Sequence, residues 1–311
     1  MMRIAILGAT SEIAKDLILS FAKNNTHSLA LFARNPETVK QWLTQAQLTH
    51  PYDTHSFEQF KIADHYDAII NFVGVGNPAK TTALGSGIFD ITWEYDNLAL
   101  RYIEAHPTCK YIFLSSGAAY CSTFEEPANE NTKASLDINH LKQQDWYGLA
   151  KLHAECRHRA LPQLPIVDIR VFNYFSHTQD MSARFLITDI LRAIQNKTTL
   201  QTSPHFMARD YLHPADFHQL IQLILNATPC NTAVDCYSQK PIDKLHLLQI
   251  MQEKFGLIYE IANADQGVIA TGNKPNYFSQ NKKAGSDFDY SPFYSSESAL
   301  IEQTQFCLKT Q

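Results

Sequence analysis

The chain has 311 residues, which is enough for one large domain or two unequal ones around a substantial core. Its 45% of hydrophobic and 18% of charged residues favour a globular protein, and its net charge of -5 argues against nucleic-acid binding. The first apolar run is too short for an export signal, and no segment approaches the ~20 apolar residues of a membrane span. The six cysteines form no C-x-x-C pair, and the histidines show no metal-ligand spacing. We therefore expect a cytoplasmic protein with reduced thiols, no metal and no membrane contact.

In the first half of the chain, short apolar runs alternate with helical patterns. The runs are continuous and rich in Ile, Val, Leu and Phe, which is typical of strands covered on both faces. They predict strands over residues 3–7, 28–33, 68–73, 110–115 and 166–172, with a weaker one near 49–53. Helices are predicted over 11–23, 90–105 and 143–160. This alternation indicates an α/β fold with a doubly wound parallel Rossmann sheet.

After about residue 173 the rhythm changes. Helices are predicted over 182–195, 214–225 and 242–255, and short strands near 200–201, 233–237 and 258–261. The tail over 273–296 is rich in Asn, Ser, Lys and Tyr. We expect residues 1–173 to form an NAD(P)-binding Rossmann domain, with a return segment near 206–226. Residues 174–311 should form a smaller α/β substrate lobe over the carboxyl edge of the sheet, where such sheets bind ligands.

The first predicted strand runs directly into a turn that could bind a dinucleotide. A pyrophosphate site needs a tightly bending backbone and a helix N-terminus facing the anion. Gly8 supplies the turn, while Ser11 and Ala14 stand where glycines would be usual. From this turn, the ends of the following strands and the third helix we predict a cofactor site. Its residues are Gly8, Thr10, Ser11, Glu12, Ile13, Arg34, Phe72, Val73, Gly74, Ser115, Tyr147 and Lys151.

The end of the second strand should select the cofactor. A carboxylate there would bind the ribose 2′-hydroxyl and favour NAD, but residues 32–35 read Phe-Ala-Arg-Asn. Arg34 could instead pair with a 2′-phosphate. We therefore predict NADP as the cofactor, with NAD as the alternative.

A Ser, Tyr and Lys constellation follows. Tyr147 and Lys151 stand four residues apart on a predicted helix and therefore share one face. A Y-x-x-x-K pair arises about once by chance in a chain of this composition. Its place after the glycine turn, and after Ser116 at the end of a strand, makes it credible. A neighbouring ammonium favours tyrosinate, and Ser116 could hold a substrate oxygen, so we predict that these three residues are catalytic.

Four segments resemble those of extended short-chain dehydrogenases/reductases of the nucleotide-sugar epimerase/dehydratase family. They are S-S-x-x-x-Y at 115–120, Y-x-x-x-K at 147–151, R-x-F-N at 170–173 and R-D-Y-x-H-x-x-D at 209–216. The resemblance implies a nucleotide-diphosphate sugar as substrate. It implies that Ser116, Asn173 and Arg209 bind this sugar and its diphosphate. Lys274 stands about where the family often has another phosphate-binding arginine.

The resemblance also implies a homodimer, with contacts through 90–105 and 143–160. His213 and Asp216 are expected to be structural. Cys121 stands where the family usually has glycine, and we assign it no catalytic role.

Departures from the family pattern bear on the reaction. Dehydratases that resemble this chain place an acid directly after the catalytic Ser or Thr, whereas this chain has Gly117 and Ala118. Dehydration is therefore disfavoured. The preferred hypothesis is an NADPH-dependent keto-sugar reductase with Tyr147 as proton donor, and the alternative is an epimerase that retains its NAD. A dinucleotide-sensing protein without turnover is a third hypothesis, but such proteins typically lose the Tyr or the Lys.

Overall fold

The computed structural model describes residues 1–24, 27–48, 52–74, 76, 78–262 and 274–309. Within them, seven strands form the larger sheet: β1 (Arg3–Leu7), β2 (Ser28–Phe32), β3 (Asp53–His55), β4 (Ala68–Asn71), β5 (Lys110–Ser116), β6 (Ile166–Val171) and β11 (Thr232–Cys236). Their order is β11-β6-β5-β4-β1-β2-β3, and each neighbouring pair is parallel. The predicted Rossmann-like sheet is thereby confirmed. The strand order reverses between β1 and β4, and sheets of this kind bind ligands at that point.

Helices cover both faces of the sheet. They are α1 (Glu12–Asn24), α2 (Pro36–Gln45), α3 (Pro78–Leu84), α4 (Gly87–Ala105), α5 (Gln143–Arg159), α6 (Leu186–Asn196), α7 (Pro214–Asn226), α8 (Lys244–Phe255), α9 (Lys283–Phe288) and α10 (Ser296–Lys309). In β1, Ile4 and Ile6 enter one hydrophobic layer, whereas Ala5 and Leu7 enter the opposite one. Burial on both sides explains why the strands read as continuous apolar runs. No helix of the described residues is long and apolar enough to cross a membrane.

Shorter strands build the rest of the chain. β7 (Asn173–Tyr174) pairs with β10 (Tyr211–Leu212), and β8 (Thr199–Thr202) pairs with β13 (Ile258–Ile261). A third small sheet has β9 (Ala208–Arg209) between β12 (Ile242–Asp243) and β14 (Asn276–Tyr277). A separate hydrophobic cluster unites α6, α8 and α10.

Several sequence boundaries need correction. The strand predicted near 49–53 overlaps β3 only at Asp53, and residues 49–51 lie outside the described residues. The helix predicted over 242–255 begins as β12, and the one predicted over 182–195 starts only at Leu186. β11 pairs with β6 in the large sheet, whereas the sequence predicts that this segment belongs to the smaller lobe. The domain division at residue 173 stays a prediction.

A buried ion network holds α4, α5 and β6 together. The His158 ring lies between two carboxylates, with Nε2 2.7 Å from Asp96 Oδ1 and Nδ1 2.6 Å from Asp168 Oδ1. Arg157 pairs with Asp96 at 2.8 Å, and Arg159 pairs with Asp168 at 2.9 Å. Burial alone would lower the pKa of His158, but the two aspartates outweigh it and raise that pKa to about 9. The imidazolium is therefore part of the folded structure at neutral pH.

This network predicts a pH-dependent stability. The folded-state pKa of His158 lies above its ordinary 6.5, so its contribution is fully present below pH 6.5 and is lost as pH rises toward 9. The pKa of Lys151 is lowered to about 8, so above pH 8 this residue makes the free energy of unfolding rise with pH and opposes the effect of His158. Each pH unit between these limits is worth about 1.4 kcal/mol. From pH 6.5 to 8, the free energy of unfolding should fall by about 2 kcal/mol, measured by urea denaturation. The fall should be absent in His158→Gln, and an equal slope in both proteins would contradict the assignment.

Candidate active site

The turn after β1 brings the backbone to the end of β4. Gly8 has φ +81, and its N–H donates to Phe32 O at 2.9 Å. A Cβ on Gly8 would lie 3.0 Å from Val73 N and 3.1 Å from Phe72 C. Only glycine combines this left-handed φ with such a close approach. The turn then opens α1, and a dinucleotide pyrophosphate fits a cradle of this kind at a helix N-terminus.

Other residues of the turn have different surroundings. Thr10 is exposed, and Ser11 and Ile13 are half-buried. The Glu12 carboxylate accepts a hydrogen bond from Asp180 N at 3.0 Å, and burial raises its pKa. Glu12 therefore contacts the C-terminal part of the chain with its side chain, and the group it could offer a cofactor is its backbone N–H.

Arg34 follows β2 and is exposed beside the same edge of the sheet. Burial raises the pKa of Tyr95, and the positive charge of Arg34 acts to lower it. The next residue, Asn35, caps α2 by accepting a hydrogen bond from Glu37 N at 3.1 Å. The segment after β2 thus holds a cation and no carboxylate beside the turn at Gly8.

The loop after β4 is fixed from behind by a buried polar chain. Asn71 Oδ1 accepts from Val73 N at 2.9 Å, and Asn71 Nδ2 donates to the Tyr111 hydroxyl at 2.9 Å. That hydroxyl donates in turn to Asp96 Oδ1 at 2.9 Å. The chain joins the loop of Phe72 and Val73 to the ion network around His158, so this part of the predicted cofactor site is rigidly supported.

Lys151 lies buried on α5 between the sheet and this loop. Its Nζ donates to Leu114 O at 2.7 Å and stands 4.4 Å from the centre of the Phe113 ring. A Cβ on Gly74 would come within 3.3 Å of Nζ. Burial lowers the pKa of Lys151 to about 8, and three nearby carboxylates oppose that shift. The ammonium is 6.0 Å from the Tyr147 ring centre, so the predicted pair does share one face of α5.

Ser116 ends β5 and begins a short 3-10 turn over Gly117–Tyr120. Its Oγ accepts a hydrogen bond from Ala118 N at 3.2 Å. Burial raises the pKa of Tyr147, and the neighbouring Ser116 hydroxyl opposes that shift. The structure thus brings Ser116, Tyr147 and Lys151 together. The Ser115 hydroxyl has a different partner from that of Ser116. Its Oγ donates to Glu155 Oε1 at 2.5 Å, and Glu155 forms an ion pair with Arg170.

The residues predicted to bind a diphosphate meet around one segment of the chain. Arg209 is 3% exposed and donates to Ala208 O at 2.7 Å and to Lys274 O at 2.8 Å. Asn173 Nδ2 donates to Tyr277 O at 3.3 Å. Lys274 Nζ lies 5.0 Å from the ring centre of Tyr277. All three side chains therefore contact the segment Lys274–Tyr277.

Tyr277 itself is a site residue that the sequence analysis missed. Its hydroxyl lies 3.3 Å from Ser116 Oγ, across 161 residues of sequence. Its ring packs in an aromatic cluster with Tyr120, Phe124 and Phe172. The only sequence signal was a tail rich in Asn, Ser, Lys and Tyr, which marks no particular tyrosine.

Comparison with known proteins assigns the chain to a family. The profile of the NAD-dependent epimerase/dehydratase family matches residues 4–235. The chain belongs to this family. No curated protein matches it.

The fold of this family member is similar to those of several solved enzymes. One is a dTDP-glucose 4,6-dehydratase from Bacillus anthracis, at 17% identity and TM-score 0.77, covering 100% of this chain and 98% of that one. Another is a UDP-glucuronic acid 4-epimerase from Bacillus cereus, at 15% identity and TM-score 0.78, covering 100% of both chains. A third is a UDP-glucose 4-epimerase from Thermotoga maritima, at 15% identity and TM-score 0.79, covering 99% of both chains.

Two glycines set how closely the family's Ser and Tyr segments approach in this member. A Cβ on Gly148 would lie 2.6 Å from Ala118 O, so α5 packs directly against the 3-10 turn. A Cβ on Gly117 would lie 2.4 Å from the Phe172 ring. The position where related dehydratases carry an acid therefore has no room for a side chain unless Phe172 moves.

Cys121 adopts a left-handed conformation with φ +47, which explains why glycine would be usual there. The thiol is half-buried, and burial raises its pKa to about 11. It is therefore protonated at neutral pH and unsuited to act as a nucleophile.

His213 and Asp216 have structural contacts, as expected from sequence. His213 Nδ1 accepts from Ala215 N at 3.1 Å and caps α7. Asp216 accepts from Phe293 N at 2.6 Å. Among the described residues, no group of three or more His, Cys, Asp or Glu side chains could hold a metal ion.

The contact at Gly117 predicts a stability effect. Gly117→Ala should lower the free energy of unfolding by about 1–3 kcal/mol, because the added methyl overlaps the Phe172 ring. Gly76→Ala is the matched control, since no atom of the described residues lies within 4 Å of its added methyl. That control should change stability by less than about 0.5 kcal/mol in the same denaturation assay. Equal stability of Gly117→Ala and wild type would show that the ring yields freely.

Proposed function

We propose that the protein is an NADPH-dependent oxidoreductase that reduces the keto group of a nucleotide-diphosphate sugar. The observation that carries this proposal is the segment after β2, where Arg34 is exposed and its neighbours Ala33 and Asn35 supply no carboxylate. Tyr147 can act as the proton donor, because burial raises the pKa of its phenol and it holds its proton at neutral pH. A reduction needs such a proton donor, whereas an oxidation needs a base.

The cofactor would lie in the crevice between β1 and β4. Backbone N–H groups from Gly8 to Ile13 would face its pyrophosphate, and Arg34 its 2′-phosphate. The ends of β4 and β5, from Phe72 to Gly74 and at Ser115, would line the nicotinamide half. Bound there, NADPH supplies the hydride.

Protein groups would handle the proton. Ser116 would hold the sugar carbonyl oxygen by a hydrogen bond, and Tyr147 would transfer its phenolic proton to that oxygen as the hydride reaches the carbon. The sugar would leave as an alcohol, and Tyr147 would remain as a phenolate. The buried ammonium of Lys151 stabilises that phenolate, and it can also bind the nicotinamide ribose.

A nucleotide sugar is the proposed substrate because Asn173, Arg209 and Lys274 supply one amide and two cations around the segment Lys274–Tyr277, which reaches Ser116 through the Tyr277 hydroxyl. The similar epimerases were crystallised with UDP-glucuronic acid and with UDP-glucose. In the structure, Arg209 donates to the carbonyl oxygens of Ala208 and Lys274. A charged diphosphate is a stronger hydrogen-bond acceptor than a backbone carbonyl. Substrate binding would therefore exchange the contacts of Arg209 rather than fill an open site.

Epimerisation with retained NAD is the second candidate. Both epimerase relatives support it by their fold, and the crowded Gly117 disfavours only dehydration.

We further propose a cytoplasmic homodimer that pairs through α4 and α5. These helices lie side by side, and Trp93 on α4 is 51% exposed.

Cofactor preference separates the two candidates. The purified protein should be free of nucleotide and should oxidise NADPH in the presence of a keto-sugar nucleotide. Arg34→Ala should raise KM for NADPH by about tenfold or more, because a charge-assisted contact to the 2′-phosphate is lost. KM for NADH should not change. Arg184→Ala, which removes an exposed guanidinium paired with Asp189 on α6, is the control. Tightly bound NAD without NADPH oxidation on any keto-sugar nucleotide would establish the epimerase instead.

The proton donor is tested separately. Tyr147→Phe should lower kcat by at least about 100-fold, since proton transfer from a positioned side chain contributes on that scale. The Kd for NADPH, measured by quenching of protein fluorescence, should stay within about twofold because the ring is kept. Turnover that survived this change would refute the assigned mechanism.

A further inference from the structure

Tyr277 connects the C-terminal part of the chain to the end of β5. It is the last residue of β14, which pairs with β9 beside Arg209. The residue is only 5% exposed, and its hydroxyl lies 3.3 Å from Ser116 Oγ. No motif in the sequence assigns it a role. A phenol that reaches a proposed catalytic hydroxyl from another part of the fold needs an explanation.

Packing leaves the Tyr277 ring little freedom to move. The ring centre lies 4.9 Å from that of Phe124 and 5.2 Å from that of Phe172, both at steep angles. The Lys274 ammonium stands 5.0 Å from the ring centre, and the Arg209 guanidinium 5.8 Å. Edge-to-face and cation contacts of this kind hold a ring in one orientation. The direction of the hydroxyl is therefore set by the surrounding structure.

Either hydroxyl could donate across the 3.3 Å between Tyr277 and Ser116. Burial raises the pKa of Tyr277, so the phenol keeps its proton and can be the donor. Ser116 Oγ accepts from Ala118 N at 3.2 Å and lies within reach of the Tyr277 hydroxyl. When Tyr277 is the donor, both bonds occupy lone pairs of Ser116 Oγ, and Ser116 has its own hydrogen left to donate toward Tyr147 and the substrate.

We propose that Tyr277 is a positioning residue, whose hydroxyl donates to Ser116 and thereby orients the Ser116 hydrogen toward the oxygen that Tyr147 protonates. This rests on the proposed function for the identity of that oxygen. The contact between Tyr277 and Ser116 does not depend on the substrate. The two parts of the inference can therefore be tested apart.

The first test needs no substrate. The protein, with its 14 tyrosines, is labelled with fluorotyrosine, and the signals of Tyr147 and Tyr277 are assigned from the spectra that lack them. Tyr277→Phe should shift the fluorine signal of Tyr147, because Ser116 loses its fixed orientation. Tyr290→Phe is the control: it also removes a buried phenolic hydroxyl, which donates to Tyr237 O at 2.7 Å and accepts from Cys236 Sγ at 3.7 Å, with no hydrogen bond to Ser116 among the described residues. It should leave the Tyr147 signal in place.

A second variant covers the case in which Tyr277→Phe folds poorly. Ser116→Ala should shift the fluorine signal of Tyr277, since the same contact is removed from the other side. If neither signal moves in folded protein, Tyr277 does not act on Ser116 and the proposal is overturned.

The kinetic test asks whether Tyr277 acts through Ser116. With NADPH and a keto-sugar nucleotide, Tyr277→Phe should lower kcat about tenfold with little change in KM, as expected for one oriented hydrogen bond. In the Ser116→Ala background the same change should have no further effect, because coupled residues are not additive. Effects that multiply in the double variant would overturn the positioning role.

Failure of the proposed function would look different. Wild-type protein would then turn over no keto-sugar nucleotide, while the fluorine spectra would still decide whether Tyr277 orients Ser116.

Discussion

The contact of helix α5 with the 3-10 turn after β5 is the constraint on which the rest of the site depends. Gly148 lies so close to Ala118 O that a methyl group would overlap it, and this approach lets Tyr147 reach Ser116. On the other side of the turn, Gly117 lies against the Phe172 ring. At both glycines the backbone therefore packs directly against its neighbour, with no side chain between them. Two missing Cβ atoms, rather than any added functional group, bring the proposed catalytic hydroxyls together.

Nearby carboxylates offset part of the cost of burying Lys151. Desolvation lowers the pKa of this lysine, whereas Asp96, Glu155 and Asp168 act to raise it. Asp96 and Asp168 also hold the His158 imidazolium, and Asp96 is joined through the Tyr111 hydroxyl to Asn71. One buried network therefore supports the loop after β4 and keeps a cation tolerable at the site. Removing one member would leave the others as unpaired charges, so the network acts as a unit.

Local patterns in the sequence account for much of the fold and of the site. Continuous apolar runs mark strands buried on both faces, and Gly8 marks a turn that needs positive φ. α2 was missed although Asn35 and Pro36 carry its capping signal. The short strands β11 and β14 owe their places to pairing with β6 and β9, which no local pattern encodes. The contact between Tyr277 and Ser116 is of the same long-range kind.

The long-range contacts also join the proposed substrate-binding residues to the proposed catalytic hydroxyls. Asp16 on α1 accepts from the Tyr174 hydroxyl at 2.8 Å and from Thr178 Oγ1 at 2.8 Å, so the Rossmann helix is tied to the segment after β6. The segment Lys274–Tyr277 gives Arg209 a carbonyl acceptor at one end and orients Ser116 at the other. An anion that took Arg209 from that carbonyl would act on the same short strand that holds the Tyr277 ring. On the proposed function, binding of a diphosphate and orientation of the Ser116 hydrogen would therefore both depend on the position of β14.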